Sequence, residues 1–108
     1  MPDPPYYAVV FVSQRRPGDA GYGAMASHME ELARQMPGFL GIDSVRDASG
    51  AGITVSYWRD EAAIAHWRQH AEHRVAQDRG QREWYESYQL HIARVERAYT
   101  GPTASSST

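Results

Sequence analysis

The alternation of apolar and polar positions along the chain predicts four strands and two helices. Strands rich in β-branched and aromatic residues are predicted over residues 6–14, 39–47, 52–58 and 86–99. In residues 22–36 apolar side chains recur at spacings of three and four, which indicates a helix with one apolar stripe. A second helix is predicted over 61–78, with Asp60 as its N-cap and Gly80 at its end. The order β-α-β-β-α-β predicts an α+β fold of the ferredoxin-like type, an antiparallel sheet with two helices on one face.

Both ends of the chain differ in composition from this central part. Residues 1–5 are rich in proline, and residues 100–108 are small and polar with no apolar anchor. We expect both ends to be disordered and one folded domain to occupy residues 6–99. A chain of 108 residues buries only a modest core, so a partner subunit would add stability.

The last two strands predict a second apolar face of the sheet. A sheet that helices cover on one side only is normally polar on the other side. Here we expect that other side to carry Trp58 and Val95 among further apolar groups. Scattered surface hydrophobics are one interpretation. The other is a homodimer in which two sheets face each other and close into a barrel.

Composition and charge exclude several classes of protein. The formal net charge is −2 with both signs mixed along the chain, whereas a nucleic-acid surface needs a clustered basic stripe. The chain has no cysteine, which excludes disulfides, thiolate catalysis and zinc–cysteine sites. It has no apolar run of membrane-spanning length and no signal-like apolar segment near its start. We therefore expect a cytoplasmic protein that binds neither nucleic acid nor membrane.

The segment "HWRQHAEHRVAQ", residues 66–77, concentrates histidines. On one continuous helix the side facing the sheet would hold Ile64, Trp67, Ala71 and Val75. The opposite side would hold His66, His70, His73 and Gln77. One interpretation is a solvated helix face, and another is a metal site, because the spacing lets the three histidines reach one ion. In a third, His70 looks into a substrate pocket from its rim, since it lies nearest to Trp67.

The chain resembles the antibiotic biosynthesis monooxygenase (ABM) superfamily, whose members are dimeric α+β barrels. The resemblance rests on "MPGFLGIDSVRD", "GITVSYWRDEAAIAHWRQHAEHRVAQ" and "WYESYQLHIARVERAY", and covers nearly all of residues 6–99. It implies a dimeric barrel for this chain. The superfamily includes oxygenases that need no cofactor, enzymes that degrade haem and small proteins of other roles, so the fold leaves these alternatives open.

The function expected from this resemblance is oxidation of a small aromatic or quinol-like substrate by dioxygen without a bound cofactor. Such a substrate, once deprotonated, can give an electron directly to dioxygen, and the protein must supply an apolar pocket, aromatic walls and a base or anion-stabilising donor. The candidate catalytic residues are His70 and His73. The candidate substrate-binding residues are Trp58, Trp67, Arg74, Trp84, Tyr85 and Tyr88. Arg15 is a further candidate donor.

Haem is the alternative cofactor that the resemblance raises. Haem-degrading relatives carry a tryptophan on the second helix, an iron-binding histidine further along it and an asparagine in the first strand. Trp67 matches the tryptophan, but Gln77 stands where the histidine is expected, and residues 6–14 contain no asparagine. We therefore expect weak haem binding or none. A dimer that binds a small ligand without catalysis is the remaining alternative.

Overall fold

A four-stranded antiparallel sheet with helices on one face forms the fold, as predicted. The computed structural model describes residues 2–18 and 21–101, apart from the side chains of residues 71, 72, 74, 76, 80 and 81. The strands are β1 (Tyr6–Arg15), β2 (Phe39–Arg46), β3 (Ala51–Trp58) and β4 (Tyr85–Val95). The helices are α1 (Tyr22–Arg34), α2 (Glu61–Gln69) and α3 (Ala71–Arg79), and a π-helical turn (Gly80–Trp84) leads into β4. The strand order β2-β3-β1-β4 is that of the ferredoxin-like unit.

Residues 102–108 of the predicted tail lie outside the described residues, so that prediction stays a prediction. In the part of the chain that the structure describes, every helix is too short or too polar to cross a membrane.

Strand pairing divides the sheet into a helix-covered face and an open face. On β1, Val9 packs toward the helices, and the residues between such positions point the other way. The open face carries Val12, Ile53 and Val45, which lie in register on β1, β3 and β2. Their exposed fractions are 39%, 44% and 70%, so an apolar patch faces away from the helices.

The core lies between α2 and the helix-covered face, and Trp58 is at its centre. Trp58 is fully buried, with its ring 5.4 Å from that of Phe39 and 6.0 Å from that of Trp67. The expectation that Trp58 lies on the open face was wrong. Alternation along a strand separates two sets of residues but does not say which set the helices cover. Val95, by contrast, pairs with Tyr6 on the open face.

α2 begins as predicted but does not continue to residue 78. The carboxylate of Asp60 accepts a hydrogen bond from the backbone N–H of Ala63 at 2.8 Å, which confirms the N-cap. The helix ends at Gln69 because His70 has extended backbone angles, φ −62° and ψ 135°. The side chains of α3 therefore do not continue the helical wheel of α2.

This break reverses the predicted orientation of α3. Val75, expected against the sheet, is 53% exposed. His73 and Gln77, which the helical wheel placed on the side away from the sheet, instead turn toward the interior and line a cavity. The prediction failed because a helical wheel assumes a constant rotation per residue, and one extended residue at position 70 resets it.

Gly38 allows the turn after α1 to approach α2 closely. Its φ is +84°, and a Cβ there would lie 2.6 Å from the Cβ of Ala63. The carbonyl of Gly38 also accepts a hydrogen bond from the N–H of Arg59 at 2.8 Å. Glycine thus supplies both the left-handed backbone and the space that let β2 enter beside the core.

Candidate functional site

A cavity of about 310 Å³ lies between the helices and the helix-covered face of the sheet. That volume is within the range of small-molecule sites. Six of the residues predicted for a site line it, namely Trp58, Trp67, His73, Trp84, Tyr85 and Tyr88. They come from α2, α3, the π-helical turn and two strands, so only the folded chain brings them together.

His73 occupies the end of the cavity next to Trp67. Its ring lies 4.4 Å from the Trp67 ring, with the two planes at 62°. Both ring nitrogens are buried and have no hydrogen-bond partner among the described residues. Buried polar atoms are normally paired, so a hydroxyl group of a ligand in the cavity would suit one of these nitrogens as a partner.

The surroundings of His73 keep its imidazole neutral. Burial is the main cause that lowers its pKa to about 4, and electrostatic interactions with Arg68 and His70 act in the same direction. At neutral pH the ring therefore has one nitrogen that can accept a proton and one that carries a hydrogen. The unprotonated ring can accept a proton from a ligand, as a weaker base than free histidine.

The other candidates on these helices do not join this end of the cavity. His70 ends α2, where its backbone N–H donates to the carbonyl oxygen of Trp67 at 3.1 Å, and it does not line the cavity. His66 is exposed on α2. The side chain of Arg74 lies outside the described residues. Among the residues that the structure describes, no cluster of three or more histidine or carboxylate side chains could hold a metal ion.

Small polar residues form the floor of the cavity. The hydroxyl oxygens of Ser44 and Thr54 are 2.6 Å apart, which is hydrogen-bond distance, and the indole N–H of Trp58 donates to Ser56 Oγ at 2.9 Å. All four side chains line the cavity. The three hydroxyls were not among the residues predicted for a site. Thr54, Ser56 and Trp58 occupy every second position of β3, so their side chains lie on the same face of the sheet. This alternation would have identified the two hydroxyl residues once Trp58 was known to face the helices.

A cluster of aromatic rings closes the opposite end of the cavity. The Tyr22 ring contacts Trp84 at 5.7 Å and Tyr85 at 5.8 Å, both edge-on, and Tyr88 lies 6.1 Å from Tyr85. Phe11, on the sheet below, contacts Tyr85 and Tyr88. From its spacing in the sequence, Tyr22 was predicted only to belong to the apolar stripe of the first helix. Its position at the start of that helix gave no sign of a site.

Two arginines lie directly behind Tyr22. The Arg15 guanidinium is stacked 3.7 Å above the Tyr22 ring. Arg46 donates to Ser13 Oγ at 2.8 Å and approaches the Tyr22 hydroxyl at 3.4 Å. Burial and a hydrogen bond with Tyr22 raise the pKa of Tyr85, so Tyr85 keeps its proton. Tyrosines thus line this end of the cavity, and two guanidinium groups that do not line it lie against Tyr22.

The fold and the cavity together define a class, that of α+β proteins with a cavity between helices and an antiparallel sheet. The chain belongs to the antibiotic biosynthesis monooxygenase family, whose sequence model matches residues 5–79. That membership confirms the resemblance that the sequence carries.

Two curated relatives and one solved structure illustrate the family. The chain is 54% identical over 96 residues to the uncharacterized protein YqjZ of Bacillus subtilis, a match covering 89% of this chain and 84% of YqjZ. It is 28% identical over 92 residues to the jasmonate monooxygenase ABM of Pyricularia oryzae, covering 82% of this chain but only 43% of that protein. SnoaB, a cofactor-independent oxygenase from Streptomyces nogalater, shares the fold with a TM-score of 0.74 and 10% identity, over 88% of this chain and 97% of SnoaB.

Proposed function

We propose that the protein is a cofactor-independent monooxygenase that oxidises a small phenolic or quinol-like molecule with dioxygen. The observation that carries this proposal is the pair of buried, unpartnered ring nitrogens of His73 beside Trp67 in an aromatic cavity. Family membership and the names of the jasmonate monooxygenase and SnoaB support the reaction class.

In the proposed reaction His73 removes the proton of the substrate hydroxyl. The neutral imidazole accepts that proton, and the phenolate then gives one electron to dioxygen, forming superoxide and a phenoxyl radical. The two radicals combine at a ring carbon that carries hydrogen, and the peroxide takes the proton back from His73. Loss of the hydrogen on that carbon, with cleavage of the O–O bond, yields a quinone carbonyl and one water molecule.

The electrons and atoms of this reaction balance without a further reductant. A phenol and one dioxygen molecule give a quinone and one water, so the substrate supplies both hydrogens and all the electrons. The protein contributes by orienting a flat ring against Trp58, Trp67 and Tyr85, by excluding water and by accepting and returning one proton.

Oxygen consumption tests this proposal. A panel of phenols and hydroquinones is incubated with the protein and a metal chelator in an oxygen electrode, and products are analysed after the reaction is run in heavy-isotope dioxygen. We expect one labelled oxygen atom in the product of an accepted substrate. Tight binding of these phenols without oxygen uptake would instead identify a non-catalytic small-ligand protein.

Haem binding is the alternative that the family raises, and it requires a test because His73 lines the cavity beside Trp67. We predict that haem titrated into the unmodified protein gives no stoichiometric Soret band, because Gln77, an amide, stands where the relatives carry the iron ligand. Since Gln77 also lines the cavity, Gln77→His should strengthen haem binding.

A tight one-to-one haem complex of the unmodified protein would contradict this prediction. The His73→Gln variant would then show whether His73 binds the iron, because its Soret band would shift or disappear.

We further propose that the protein acts as a cytoplasmic homodimer that buries the open face of the sheet. Val12, Ile53 and Val45 form an exposed apolar patch there, and a specific interface would bury about 1,200 Å² or more. Ile53→Asp is therefore expected to give monomers in sedimentation velocity at micromolar concentration.

Ile92→Asp is the matched control for this prediction. Ile92 is exposed to a similar degree, 42% against 44%, but it pairs with Val9 on the helix-covered face. This variant should remain dimeric. An unmodified protein that sediments as a monomer would rule out the proposed dimer.

A further inference from the structure

The end of the cavity at Tyr22 is built differently from the end at His73. His73 packs on Trp67, whose ring in turn packs on Trp58, whereas Tyr22 contacts Trp84 and Tyr85. Val9 and Phe11 of β1 line the same cavity. The cavity therefore suits a molecule with two different ends.

Arg46 is held in place on the helix-covered face. It pairs with Gly52 on β3, and a Cβ at Gly52 would lie 2.6 Å from the central carbon of the Arg46 guanidinium, so glycine makes the space for that group. One nitrogen donates to the carbonyl of Gly50 and another to Ser13 Oγ. No carboxylate among the described residues forms an ion pair with Arg46. A partly buried guanidinium held only by neutral acceptors keeps its positive charge uncompensated.

Tyr22 lines the cavity, and its hydroxyl lies next to the Arg46 guanidinium. The Tyr22 oxygen accepts from the Arg46 guanidinium over 3.4 Å. A hydroxyl that accepts from a guanidinium still has its own proton to donate, and an anionic oxygen is the strongest acceptor for it.

We propose that this end of the cavity is an anion-recognition subsite, in which a carboxylate of the substrate accepts a hydrogen bond from Tyr22 and is stabilised by the charges of Arg46 and Arg15. The substrate is then a hydroxyaromatic acid, with its hydroxyl toward His73 and its carboxylate toward Tyr22. The subsite proposal names the substrate class of the oxygenation proposed above. It rests on that earlier proposal only for the reaction, because recognition of the carboxylate is a binding property.

The test compares two probes that differ only in the acid group, para-(para-hydroxyphenyl)benzoate and para-phenylphenol. Their dissociation constants are measured by isothermal titration calorimetry at neutral pH, without turnover. The unmodified protein should bind the acid about tenfold or more tightly than the neutral phenol, and Arg46→Gln should remove that preference while changing the affinity for para-phenylphenol less than about twofold. Arg59→Gln, which removes an exposed arginine outside the cavity, is the control for net charge and should keep the preference.

A second variant keeps the proposal falsifiable if Arg46→Gln does not fold. Tyr22→Phe preserves the ring under Arg15 but removes the donor hydroxyl, and it should lower the affinity for the acid selectively. Equal affinity of the unmodified protein for both probes would overturn the subsite, as would an equal loss of both affinities in either variant. Selective binding of the acid without oxygen uptake from any phenol would retain the subsite and overturn only the proposed reaction.

Discussion

Replacing Trp58 with alanine is expected to lower the free energy of unfolding by about 3–5 kcal/mol, the usual loss when a buried aromatic side chain is truncated. Trp58 is fully buried and packs on Phe39, Trp67 and Ile64, so its removal leaves a space that three neighbours cannot fill. Urea unfolding followed by circular dichroism measures the change.

Tyr99→Ala is the control for this prediction, because Tyr99 is 83% exposed and its loss should change the free energy of unfolding by less than about 0.5 kcal/mol. Trp58→Asp should prevent folding, because it places a charge in the core. A soluble, folded and monomeric Trp58→Asp protein would show that Trp58 belongs to a subunit interface rather than to the core.

Replacing His73 with glutamine is expected to lower turnover of an accepted phenol by about 10²–10⁴-fold, the usual contribution of a general acid–base group. Glutamine fills much of the same space and can hydrogen-bond to the substrate, but it cannot accept the proton. His66→Gln is the matched control, since His66 is exposed on the neighbouring helix and should leave turnover unchanged. Full activity of the His73→Gln enzyme would exclude His73 as the base.

The same variant should also change how stability depends on pH. The pKa of His73 is about 4 in the folded protein and near its ordinary value of 6.5 in the unfolded chain, so below pH 6.5 the unfolded chain takes up a proton that the folded protein refuses. This residue therefore lowers stability as pH falls from about 6.5 to about 4, and adds no further loss below that.

The charged groups near His73 do not offset this pH effect. Arg68 and His70 both disfavour its protonation, and Glu30 of α1, which lines the same cavity, is paired with Arg34 at 2.8 Å. The His73→Gln protein should lose less stability than the unmodified protein over this range in urea unfolding. His66→Gln should lose as much as the unmodified protein, and equal losses in all three would show that the His73 ring is solvated.

The order of elements, the cap at Asp60 and the two apolar strand sets follow from local patterns in the sequence. Alternation, helical spacing and capping residues act over a few neighbouring positions, so these patterns are enough to predict the ferredoxin-like unit. The family resemblance lies in the same local segments. For the same reason the rings of the cavity could be named as candidates from their residue types.

The tertiary structure alone decided which side of β3 the helices cover, and so placed Trp58 in the core rather than on the open face. It also decided the break at His70, which turned His73 and Gln77 into the cavity, and the meeting of Tyr22 with Arg46, which are 24 residues apart in the chain. A local pattern cannot contain these results, because each depends on how one element packs against another. The proposed chemistry depends on His73. The sequence names this residue only as a candidate, and the packing of α3 orients it toward the cavity.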